Sequence, residues 1–117
     1  MPLAMSSPVD TAPLPPVRER ERVLELLRAH AGEIRRRGVT RLALFGSTAR
    51  GEAGPGSDID LLIEVDPNAK FTLVELASLE RFLTEVLGRP VEFAFPNRLR
   101  ERPRVWRRVA ADAVEVF

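Results

Sequence analysis

The sequence predicts an α/β fold: a single domain in which one small mixed sheet carries helices packed on it. Three observations predict it. Segments with a helical apolar period alternate along the chain with short apolar runs of strand length, a Gly-rich loop joins the first two such runs, and 117 residues leave room for one core and no second domain. With 44% apolar residues, that core can form without covalent staples.

Residues 1–16, MPLAMSSPVDTAPLPP, hold five of the ten prolines and show neither a 3.6 nor a 2.0 period, so they read as a disordered tail ahead of a domain spanning 17–117. From Val17 to Arg37 the positions Val23, Leu26, Leu27, His30 and Ile34 recur at helical spacing, with Gly38 as the left-handed stop. Residues 40–45 and 58–65 read as strands, the first ending at Gly46 and the second bounded by a Gly/Pro loop and by Pro67. Residues 72–87 read as a helix. Thr72 and Glu75 are spaced as a capping box, Phe71 and Leu76 as a hydrophobic staple, and Gly88 and Pro90 end it. Its expected buried stripe is Leu73, Leu76, Leu79, Phe82, Leu83 and Val86. Residues 90–95 alternate as a third strand, stopped by Pro96. After a turn, residues 102–111 place Val105, Trp106, Val109 and Ala110 on one helical face, and residues 113–117 close the chain as an edge strand.

Composition narrows the chemistry. The absence of Cys excludes a thiol nucleophile and any Cys-ligated metal, and the lone His30 excludes double-His metal motifs. Metal chemistry falls to carboxylates. No apolar run approaches the ~18 residues needed to span a bilayer, and the first 20 residues lack a signal-peptide pattern, so the expectation is a soluble cytoplasmic protein without a membrane partner. With 18 basic against 17 acidic residues, the chain lacks the footprint of a dedicated nucleic-acid binder.

The informative stretch is residues 46–60, GSTARGEAGPGSDID. Gly46 ends a strand where a missing Cβ lets a ligand approach the backbone, and Ser47 is expected at the N-cap of a short helical turn, an arrangement suited to phosphate. Asp58 and Asp60, two apart at the start of a strand, project from one face about 7 Å apart along the backbone. Two such carboxylates repel unless a hard cation lies between them, and oxygen ligands together with phosphates suit Mg²⁺, two ions of which can serve an attacking hydroxyl and a leaving phosphate. For the turn and the Asp pair to meet, the first two strands must be antiparallel neighbours. Walker A and dinucleotide fingerprints both fail here.

Gly46 and Ser47, followed after ten residues by Asp58 and Asp60, reproduce the GS-x10-DxD signature, and the run resembles the polymerase-β-like nucleotidyltransferases, most of all the minimal nucleotidyltransferases that act as antitoxins beside HEPN-family toxins. The resemblance implies a nucleotidyltransferase fold in which Gly46 and Ser47 hold a nucleoside triphosphate while Asp58, Asp60 and a third carboxylate bind Mg²⁺. The later strand offers Glu92 where the family commonly has Asp. As the single carboxylate on that strand, Glu92 is implied as metal ligand and base. Arg50 either steadies phosphates, as the resemblance suggests, or pairs with Glu52 on the surface.

The implied activity is Mg²⁺-dependent transfer of AMP from ATP to a hydroxyl of a protein partner, by resemblance a HEPN-type toxin. Two alternatives stand beside it. One is an inactive antitoxin that neutralises by contact, and the other is an RNA binder using the six arginines between Arg98 and Arg108, a stretch that as a solvated helix face needs no partner. His30 reads as a satisfied core or boundary residue and Trp106 as core packing. Arg35, Arg36 and Arg37 complement the end of their helix.

Overall fold

A computed structural model describes residues 14–54 and 56–117. Among the described residues six helices and four strands follow one another: α1 (Pro16–Ala29), α2 (Ala31–Arg36), β1 (Val39–Phe45), α3 (Gly46–Ala49), β2 (Ile59–Val65), α4 (Leu73–Leu87), β3 (Val91–Ala94), α5 (Pro96–Leu99), α6 (Pro103–Asp112) and β4 (Val114–Glu115). The four strands form one sheet in the order β3-β2-β1-β4. β1 runs antiparallel to β2 and to β4, and β2 runs parallel to β3, so the sheet is mixed and the expected antiparallel neighbours are present.

The period-two alternation of the strands sorts side chains onto two faces. Leu42 and Leu44 of β1, Ile59, Leu61 and Ile63 of β2 and Val91 of β3 join a buried cluster with Val23, Leu27, Ile34, Leu79, Leu83 and Leu87 from α1, α2 and α4. Leu79 and Leu83 are fully buried, and truncation of such residues to Ala costs about 2–5 kcal/mol. α4 is therefore a fixed wall of the molecule. The other sheet face carries Asp60, Leu62 and Glu92, with α5 and α6 packed toward β2 and β1.

α4 starts and stops as expected. The Thr72 hydroxyl accepts from the Glu75 amide at 3.3 Å, and Gly88 takes the left-handed conformation with φ of 71°. Its stripe differs at one end: Leu73 is 83% exposed, whereas Leu87 is buried. Leu73 is the first residue of the helix and stays in solvent, while the later turns carry the buried Leu79, Leu83 and Leu87.

The single helix expected from Val17 to Arg37 is broken at His30, whose φ of −104° and ψ of 12° leave the helical region. The His30 ring Nδ1 bonds the Leu26 carbonyl at 2.8 Å, an interaction that competes with helix continuation, and the ring meets Phe82 edge-on at 5.8 Å. His30 is thus the satisfied boundary residue expected. Pro96 ends β3 and also opens α5, where its missing N–H costs nothing. Of the expected tail, residues 1–13 lie outside the described residues, and Pro16 already belongs to α1. No helix among the described residues is long and apolar enough to cross a membrane.

Candidate active site

The site forms where β1 ends and β2 begins. The antiparallel register places Phe45 opposite Asp60, so the turn after β1 lies beside the first carboxylate of β2. Gly46 has φ of +76°, and a Cβ there would collide with the Asp60 carboxylate, with Cγ only 3.2 Å away. Glycine is required twice, by the backbone and by its neighbour.

Ser47 does not cap α3. The N-cap position is Phe45, with Gly46 and Ser47 the first two residues of the turn, because the chain turns one residue earlier than its spacing suggests. The first N–H groups of a helical turn have no partners within it, so Gly46 and Ser47 present amides as well as a hydroxyl. Thr48, the next residue, is 1% exposed, and its Oγ1 has no hydrogen-bond partner among the described residues. Sequence reasoning passed over Thr48, since a Thr in a turn is ordinary until its burial is known.

The parallel register places Glu92 beside Asp60. Burial raises the Asp60 carboxyl above its ordinary range, and the charges of Glu92 and Asp58 and a hydrogen bond to Glu92 raise it further, against the opposing charge of Arg50. Asp58 is exposed and precedes the strand, which starts at Ile59 and not at 58 as expected. The expected three-carboxylate centre is not closed: among the described residues no three His, Cys, Asp or Glu side chains are drawn together tightly enough to hold an ion. The donor set nevertheless fits Mg²⁺, which takes oxygen ligands and is usually held by one or two carboxylates together with substrate phosphates. The mutual repulsion that raises Asp60 is the conflict a hard cation relieves.

Arg50 bonds Glu52 Oε1 at 3.0 Å and Asp112 Oδ2 at 2.7 Å, which ties the turn after β1 to the last residue of α6. The surface pairing with Glu52 is present, while its charge is also felt at Asp60. A cleft of about 500 Å³ opens beside Asp60 and Glu92, walled by Phe45, Leu76, Glu80 and Phe93.

Arg89 was invisible to sequence reasoning. It is buried at 9% exposure, bonds the carbonyl of Ser57 through Nε at 3.0 Å and again through Nη2, and pairs with Glu19 at 2.5 Å. Its Gly-Arg-Pro setting reads as a surface turn, and Glu19 lies 70 residues away.

Comparison with known proteins bears on this geometry. The model of the nucleotidyltransferase domain family matches residues 27–115. The protein adenylyltransferase MntA of Thermococcus cleftensis is 35% identical over 81 residues, covering 68% of this chain and 80% of that protein. A solved structure described as a candidate minimal nucleotidyltransferase has a TM-score of 0.62 at 33% identity, covering 86% of this chain and 95% of that one. A toxin–antitoxin crystal structure with AMP-PNP has a TM-score of 0.56 at 17% identity, covering 84% of this chain and 72% of that one, a likeness of fold.

Proposed function

This chain belongs to the nucleotidyltransferase domain family, and from that premise we propose that it is a protein adenylyltransferase, moving AMP from ATP onto a hydroxyl of a partner protein with release of pyrophosphate. The observation that carries the reading is the meeting of the Gly46–Ser47 turn with Asp60 and Glu92 at one end of the sheet. The adenylyl specificity is supported by the named activity of the Thermococcus relative.

Gly46 lets the triphosphate approach the backbone, and the Ser47 hydroxyl donates to a phosphate oxygen. Arg50 reaches the phosphates by releasing Glu52, an exposed partner whose attraction solvent already screens. Asp58, Asp60 and Glu92 would hold Mg²⁺, one or two ions, which when bound neutralises phosphate charge and lowers the pKa of an attacking hydroxyl. Glu92, exposed at the mouth of the cleft, takes the proton from the acceptor hydroxyl. The hydroxyl oxygen bonds to the α-phosphorus, the bond from the α-phosphorus to the bridging oxygen breaks, and pyrophosphate leaves with that electron pair. Glu92 has one methylene more than Asp, so its carboxylate reaches further and has another torsion to fix.

The partner reading follows from charge. Among the described residues Arg98, Arg102, Arg104, Arg107 and Arg108 are exposed and form no ion pair, so five free guanidinium groups cluster on and just before α6. This surface fits an acidic protein, by family resemblance a HEPN-type toxin to which the chain is the antitoxin, working in the cytoplasm. Calorimetry with ATP tests the reading: Mg²⁺-dependent binding is expected, and its absence would leave an antitoxin acting by contact alone. Binding of RNA in place of ATP, with affinity falling steeply as salt rises, would favour the RNA-binding alternative.

A further inference from the structure

We propose that Arg89 is the positioning residue for the Asp58 carboxylate: a buried guanidinium, balanced by Glu19 of α1, that grips the Ser57 carbonyl and so sets the backbone from which Asp58 enters the site. The inference rests on the reading of Asp58 as a metal ligand.

The stretch 50–58 holds three glycines in its sequence, and among its described residues the Ser57 amide bonds the Gly54 carbonyl at 3.2 Å and the Gly54 amide bonds Ser57 Oγ at 3.1 Å. Those two bonds lie within the segment, whose start is anchored by the Arg50–Asp112 pair and by the Glu52 amide bond to the Ser47 carbonyl. At its far end, next to Asp58, attachment comes from Arg89, which donates to the Ser57 carbonyl through Nε and Nη2. On the far side of Asp58, the Ile59 amide donates to the Pro90 carbonyl at 2.8 Å. Asp58 is therefore held between two tethers that both originate in the dipeptide 89–90. The same segment supplies Glu92 two residues later, so one short stretch fixes the relative placement of two proposed ligands.

Arg89 is itself fixed. Its Nη1 bonds Glu19 Oε2 at 2.5 Å, Glu19 is gripped by Arg22 at 2.7 Å and 2.9 Å, and Arg22 donates to the Leu87 carbonyl at the end of α4. The Glu19 carboxyl is held below its ordinary range, first by its hydrogen bond to Arg22 and then by Arg89, against burial. Apolar residues replacing Arg89 and Glu19 together would fill the space at least as stably, because a buried ion pair seldom repays its desolvation. What an apolar residue lacks is a donor for the Ser57 carbonyl. Lys lacks the planar fork that reaches that carbonyl and Glu19 together.

Two measurements on the full chain test the proposal, with Arg89→Met, Arg89→Lys and Asp58→Asn, singly and combined. Calorimetry with MgATP is expected to show affinity about 10- to 100-fold weaker in both Arg89 variants, and no further loss when either is added to Asp58→Asn. Arg89→Lys keeps a cation beside Glu19, so affinity lost while melting temperature is retained marks positioning. Hydrogen exchange is expected to show the Ile59 amide losing protection relative to Leu61 in the middle of β2. Losses that simply add to those of Asp58→Asn, or native affinity and exchange in Arg89→Lys, would overturn the assignment. Should the unaltered protein bind no MgATP, the adenylyltransferase reading fails, while exchange at Ile59 still reports the tether separately.

Discussion

The Asp60 carboxylate occupies the space that a side chain at position 46 would need: Gly46 and Asp60 are packed so closely that a Cβ on the first would displace the second. Gly46→Ala is expected to cost about 1–2 kcal/mol for its left-handed backbone and to swing Asp60 out of the site. Thermal melting and MgATP calorimetry check this together. A small stability loss with abolished binding is expected, because a carboxylate end rotates away more easily than backbone moves.

Asp60→Asn is expected to abolish transfer while raising metal-free stability at neutral pH. The sign follows from the raised Asp60 carboxyl: the folded state holds its proton more tightly than the unfolded state, so stability falls as pH rises through the folded pKa. Asn removes that loss. Melting curves of the variant and the parent should converge on acidification to below the ordinary carboxylate range. Asp58→Asn combined with Asp60→Asn should behave alike, since each removes charge from the same repelling group.

Glu19→Gln is expected to behave in the opposite sense. The folded-state Glu19 carboxyl lies below its ordinary range, so its stabilisation is present above the unfolded pKa and is lost as pH falls through the folded one. At neutral pH the variant leaves Arg89 without its counter-charge, and breaking such a buried pair costs about 3 kcal/mol. Denaturant melts at pH 7 and at acidic pH check it, with the difference shrinking at the lower pH.

Removal of residues 1–13 is expected to leave melting temperature and nucleotide binding unchanged, because that segment shows no periodic apolar face with which to join the core. Differential scanning calorimetry of the truncated chain checks this directly.

What was legible in the sequence was local. Gly46, Ser47, Asp58 and Asp60 announce themselves by spacing, and the requirement that they meet was enough to orient β1 against β2. The helix signals at Thr72 and Gly88 needed no tertiary context, since each acts on backbone within four residues. Illegible features depended on distant partners or on a side chain choosing between local bonds. His30 breaks a helix although the nearby Gly32 lies inside the next helix and not at the break, Leu73 has the right period but stays exposed, and Arg89 acquires its role only through Ser57 and Glu19. Glu92 was legible as the carboxylate of its strand, but its closeness to Asp60 came from the parallel register.

Adenylyl transfer to a partner is read out by the fate of the α-phosphate of ATP. The chain contains no Tyr, so a label on a Tyr hydroxyl must lie on another molecule. The protein is incubated with Mg²⁺, α-labelled ATP and the product of the adjacent reading frame, and the adduct is located by mass spectrometry, with Asp60→Asn and Glu92→Ala run in parallel. An adenylyl group is expected on the partner when both proteins and Mg²⁺ are present, and none with either variant. Strong label on this chain alone, label without Mg²⁺, or undiminished transfer by Glu92→Ala would contradict it.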